Sequence, residues 1–218
     1  MSRRLIPFAR PVTTASSNSS GSIIKSVLLG IPGQHKTKLA DQIVTNFNFV
    51  HLCIPQIISG RARDGSTVSK VLRISRNLKL QVPDDYTVKF VTNEVTLQDD
   101  KSFVITGFPS TLNQANLFWK VYKLNMVIYP DYSSEDYVRI LLEGSKRVAD
   151  GDERMKLRNV RNVIKRYTRR IGPILKYYER EKVLCSCSAS TESEMWEKVR
   201  NEISKRVGLN VKGEIKLA

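Results

Sequence analysis

The sequence predicts an α/β fold built on a parallel sheet. Three observations carry this. Short apolar runs alternate along the chain with longer stretches of helical periodicity. A glycine-containing turn joins the first apolar run to the first helix. Hydrophobic residues make up 41% of the 218 residues, enough for the core of one medium domain with tails.

The elements follow in order. SVLLG, 26–30, is a short buried-type strand. The turn comes next, then a helix from about Lys38 to Asn46. FVHLCI, 49–54, reads as a second strand. Residues 55–100 are mixed and polar, with helix signals around 66–77 and 84–95 and a turn at Val82-Pro83-Asp84. SFVITGF, 102–108, is a third strand, followed by a helix from about Leu112 to Val121. MVIY, 126–129, is a fourth strand. The helix after it, about Ser134 to Glu143, opens on Ser133-x-x-Asp136, a capping signal. Residues 152–170 form a long basic helix that Gly172-Pro173 is expected to break or kink. VLCSCS, 183–188, is a fifth strand. The last helix, 191–206, carries Met195, Trp196, Val199 and Ile203 at helical spacing. No internal repeat is visible.

Lysine and arginine exceed the acidic residues enough to give a formal charge of +15. That excess points to a polyanionic partner, with nucleic acid first. A membrane surface fits less well, because no stretch pairs a basic face with a strongly apolar one. No apolar run is long enough to cross a bilayer. Cys53, Cys185 and Cys187 lack zinc or CxxC spacing and read as buried, reduced thiols. With His35 and His51 they form no ligand set, so no metal site is expected.

The first carboxylate is Asp41. Residues 1–24 are Arg- and Ser-rich, the composition of a mitochondrial transit peptide. They are read as a transit-like extension or a retained arm held against a partner. Residues 25–207 form the domain and 208–218 a tail.

GIPGQHKTK, 30–38, is a near-match to the phosphate loop G-x-x-x-x-G-K-[ST], with His35 where a glycine belongs. Three further segments join it in order: GFPSTLNQA (107–115) directly after a strand, LQVPDD (80–85), and Y-x-x-x-I-x-P-I-L-K-Y-Y (167–178). Together, over about residues 25–207, they resemble the adenylate kinases, P-loop nucleoside monophosphate kinases. The resemblance implies a five-stranded parallel sheet flanked by helices, with the loop after the first strand facing the nucleotide. It assigns Gly30, Gly33, Lys36 and Thr37 to the loop and Gln114 to the adenine contact. No cofactor is expected, with ATP or another nucleotide at this remnant loop as the one exception it admits.

Phosphoryl transfer is positioning plus neutralisation of several negative charges, so the cation inventory decides the expectation. By the resemblance, Ser59, Ser110 and Val163 stand where the family has arginines. Thr106 stands at its aspartate, and His35 replaces the loop glycine. A β-carbon and imidazole at 35 are expected to crowd a phosphate. At roughly 2 kcal/mol each, the three arginines and the loop glycine together raise the barrier by about 8 kcal/mol, roughly a million-fold in rate. The expectation is therefore a catalytically inactive, adenylate-kinase-like protein with a structural role. The assembly expected is a ribonucleoprotein of the mitochondrial matrix, the mitochondrial ribosome first, with ribosomal RNA and neighbouring subunits as partners. The alternatives are an active nucleoside monophosphate kinase and a nucleotide-binding accessory subunit of another large complex.

The basic helix supplies the RNA contact in this reading, through Arg154, Lys156, Arg158, Arg161, Lys165, Arg166, Arg169 and Arg170. Leu157, Val160, Val163 and Ile164 are its expected apolar stripe. Tyr167, Tyr177 and Tyr178 are candidates to stack on bases, the last two better suited to the core. Lys198, Arg200, Lys205 and Arg206 add positive surface.

Overall fold

The computed structural model describes residues 22–61, 70–71, 74–75, 82–145 and 153–208. Five strands form one sheet: β1 (Lys25–Leu28), β2 (Val50–Cys53), β3 (Phe103–Thr106), β4 (Met126–Asp131) and β5 (Leu184–Ser188). Their order is β2-β3-β1-β4-β5 and every pairing is parallel. The α/β reading with a five-stranded parallel sheet is therefore correct. Helices α1 (Gln34–Phe47), α2 (Ile54–Arg61), α3 (Asp84–Thr96), α4 (Leu112–Val121), α5 (Ser134–Ser145), α6 (Glu153–Arg180) and α7 (Glu192–Val207) flank it.

The central strands are apolar on both faces, as a parallel sheet covered on two sides requires. Val27, Phe103, Val104, Ile105, Val127 and Ile128 are fully buried. Leu28 lies level with Thr106 and with Ile128, so β1 and β3 end together while β4 runs on to Asp131. The turn 29–33 leaves from that edge, where open α/β sheets place their ligands.

Two helices depart from the sequence expectation. Helix α1 begins at Gln34 rather than near Lys38, because Pro32-Gly33 is the only breaker and His35, Leu39, Ala40 and Ile43 already face the core. Helix α6 runs unbroken through Gly172-Pro173 to Arg180. Tyr167, Ile171, Ile174 and Tyr178 are buried and stay in phase across the proline, while Pro173 itself is exposed. That packing outweighs the lost backbone bond.

The stripe also differs by one residue: Ile164 is buried and Leu157 and Val160 are half-buried, but Val163 is 39% exposed. Tyr167 is core rather than a stacking platform. Helix α2, with Pro55 in its first turn, went unread in a mixed polar stretch. The Ser133 hydroxyl accepts from the Asp136 N–H at 3.1 Å, closing the expected cap.

Cys185 and Cys187 are buried on one face of β5, free, with sulfurs 3.8 Å apart. Most of the helix signal at 66–77 and the segments 1–21 and 209–218 lie outside the described residues.

Candidate functional site

The turn between β1 and α1 is held by three contacts. Gly30 has φ +131°, a conformation that L side chains rarely adopt, so glycine is needed there. Its N–H donates to the Tyr167 hydroxyl at 2.7 Å, tying the loop to α6. The Lys36 ammonium reaches back over the turn to the Gly30 carbonyl at 3.3 Å, and burial lowers its pKa. Gly33 precedes α1 with no side chain capping the helix, so the first N–H groups of α1 open toward the turn. Thr37 turns inward on its own helix and donates to the Gly33 carbonyl at 3.4 Å.

His35 lies over Gly33 at the end of the turn and packs inward. Its ring is 7% exposed and packs edge-on against Tyr132 and Tyr137, with centroids 6.3 and 6.0 Å away. Burial pushes its pKa down to about 4, so the ring is neutral. Residue 35 stays in the first turn of α1, with its ring between Gly33 and the two tyrosines.

Two spaces flank the turn. A cavity of about 510 Å³ lies between residues 32–35, the C-terminal half of α5 and one face of α6. Glu143, Asn159, Val163 and Glu192 line it, and Lys38 spans it to Glu192 at 3.0 Å. A smaller cleft of about 100 Å³ is lined by Gly30, Lys36, Ser110, Tyr167 and Arg170. Arg170 therefore parts company with the other α6 cations and faces the loop. Sequence reasoning missed this placement. No local spacing marked it, since the contact that ties α6 to the loop, Tyr167 to Gly30, joins residues 137 apart.

The opposite wall is closed by hydrogen bonds. Gln114 is 5% exposed; its amide NH₂ donates to Asp84 at 2.8 Å, and its amide oxygen accepts from the Ser110 N–H and hydroxyl. Thr111 and Asn113 also donate to Asp84, at 3.0 Å each. Gln114 is thus a girder between α3 and α4 in this structure, with both ends of its amide engaged. Ser59 donates to the Pro55 carbonyl within α2. Pro55 packs onto Gly107, where a β-carbon would meet the ring at 2.5 Å.

Among the described residues, no cluster of three or more His, Cys, Asp or Glu side chains is placed to hold a metal. Thr106, where the resemblance puts an aspartate, is buried and bonded to His51 at 2.9 Å.

Residues 28–183 match the adenylate kinase family over most of the domain. The chain belongs to the adenylate kinase family. It is 30% identical to an adenylate kinase of Flavobacterium psychrophilum over 169 residues, 73% of this chain and 87% of that one. A UMP-CMP kinase of Prunus armeniaca is 26% identical over 186 residues, 84% of this chain and 78% of the relative. A probable UMP-CMP kinase of Arabidopsis thaliana is 27% identical, covering 74% and 62%.

These relatives overturn the expectation that this family member is not an enzyme, since those it aligns with along the domain are named as kinases. The charge inventory behind that expectation counted only motif positions. It omitted Arg170, a variable position of the 167–178 segment that the fold brings to the loop, and losses of charge need not add.

Proposed function

We propose that the protein is a nucleoside monophosphate kinase that moves the terminal phosphoryl group of ATP to a nucleoside monophosphate. The observation that carries this reading is the convergence of Lys36, Arg170 and the open N-terminus of α1 on the Gly30 turn. The backbone N–H groups hold phosphate oxygens, and the two cations offset the charge that two nucleotides bring together. The larger cavity beside residues 32–35 takes part of the donor nucleotide, with Val160 supplying apolar wall and Val163 on the side toward the phosphates. Thr37 and Gln114 have no direct part in this scheme.

The test is nucleoside diphosphate formation from ATP with AMP, UMP or CMP. Turnover that Lys36→Ala abolishes is the expected result. No turnover above the Lys36→Ala background with any acceptor sinks the reading. Import into the mitochondrial matrix belongs to the same proposal, supported by the Arg- and Ser-rich composition of residues 1–24. A fluorescent fusion that stays in the cytosol excludes it.

A further inference from the structure

Helix α6 has ten lysines and arginines between Arg154 and Arg180 and no carboxylate from Arg154 to Tyr178. Helix α7 is also basic, but its charge is matched within the helix: Lys198, Arg200, Lys205 and Arg206 pair with Glu194, Glu197 and Glu202. The two helices therefore differ in the charge they offer a partner, although the sequence makes both look positive.

Arg161, Lys165 and Arg169 stand four residues apart, so they share one face of α6 about 6 Å from one another along its axis. All three are exposed, and among the described residues none has an ion-pair partner. They line a groove of about 640 Å³ between α5 and α6, with the Thr168 hydroxyl beside them and Val138 and Ile164 in the wall. Glu135 is the carboxylate at its edge. Arg170 points instead to the nucleotide loop, so this stripe is separate from the kinase site.

We propose that the α5–α6 groove binds a nucleic-acid strand through its phosphodiester backbone, without reading its sequence. A row of unpaired cations on a rigid helix suits a regular row of phosphates, and binding releases the counterions that both carry. RNA is the partner that the charge of the whole chain favours. An acidic protein or an anionic lipid surface would have to be matched to a linear stripe rather than a patch, which fits neither as well.

The experiment uses the full chain and fluorescence anisotropy with U20 RNA and with dT20, from low to moderate salt. The expected result is salt-sensitive binding to at least one strand. Replacing Arg161, Lys165 and Arg169 together by Glu should then lower the slope of log K against log salt by about 2. The matched replacement of Lys89, Lys101 and Lys120, exposed cations elsewhere, should leave most of the binding. A milder set, the same three α6 residues to Gln, guards against misfolding, with far-ultraviolet circular dichroism as the check. No binding of either strand at low salt overturns the proposal. So does equal loss in the two Glu sets, or binding to anionic vesicles but to neither strand. Kinase turnover of the α6 variants is a separate readout, so failure of the catalytic reading and failure of this one are distinguishable.

Discussion

The imidazole of His35 rests against the α-carbon of Gly33: a β-carbon at Gly33 would lie 2.9 Å from Nδ1 and 3.0 Å from Cε1. The histidine that breaks the loop pattern has thus made its neighbouring glycine sterically necessary. Gly33→Ala is expected to destabilise the protein by about 1–3 kcal/mol, the usual cost of an overpacked contact. Adding His35→Gly removes the obstructing ring and should return part of that loss. Urea unfolding of the two single variants and the double variant measures it. Strict additivity would show that the ring and residue 33 do not compete for space.

The same ring couples stability to pH. His35 titrates near 4 in the folded chain, with burial as the main cause, against 6.5 ordinarily. The unfolded chain therefore takes up the proton first as pH falls. Stability is complete above about pH 6.5 and declines down to about pH 4, by roughly 3 kcal/mol at most. His51 is shifted the same way by burial and adds to the slope. His35→Phe keeps an aromatic ring against Tyr132 and Tyr137 and should flatten the decline while leaving the His51 part. Thermal midpoints from pH 7.5 to 4.5 decide it; parallel curves for the two proteins contradict the account.

Val163 offers a way to restore charge at the site. It is 39% exposed and lines the cavity beside residues 32–35, at a position where the family resemblance places an arginine. An arginine there needs little repacking, so stability should change by no more than about 0.5 kcal/mol. Turnover should rise, on the order of tenfold, because one more guanidinium meets the transferring phosphoryl group. Steady-state kcat with ATP and the best acceptor is the measurement. An unchanged or reduced kcat with normal stability would show that this face of α6 does not see the reacting phosphates.

The sheet was legible because strands such as FVIT and MVIY are buried on both faces and read as continuous apolar runs. Helix α4 was legible to the residue, since Thr111 caps it and the cap is local chemistry. What could not be read depends on contacts far apart in sequence. Gly172-Pro173 signals a break locally, yet Ile171 and Ile174 carry the helix across by packing. At the site, the motif showed which residues had been lost but not what replaced them. Arg170 reaches the loop because Tyr167 bonds to Gly30 across 137 residues, and no spacing rule connects those positions. His35 looked like an obstruction for the same reason: the Tyr132 and Tyr137 rings that receive it lie about a hundred residues away.

The placement of Arg170 yields the most direct catalytic prediction. It shares the small cleft with Lys36, Gly30 and Ser110, whereas Arg169, its neighbour, lines the groove on the α5 side of the helix. The two residues have the same charge and exposure class and differ only in the direction they face. If Arg170 stabilises the charge that develops during transfer, Arg170→Ala should lower kcat on the order of a hundredfold, with a smaller effect on KM for ATP. Arg169→Ala should leave kcat near the wild-type value, and Arg170→Lys should recover part of the loss by restoring charge without the guanidinium's paired donors. Kinetics of the three variants, each checked by its thermal midpoint, separate this role from a general electrostatic one. Equal losses for Arg169→Ala and Arg170→Ala would mean that the net charge of α6, rather than the position of Arg170, supports the reaction.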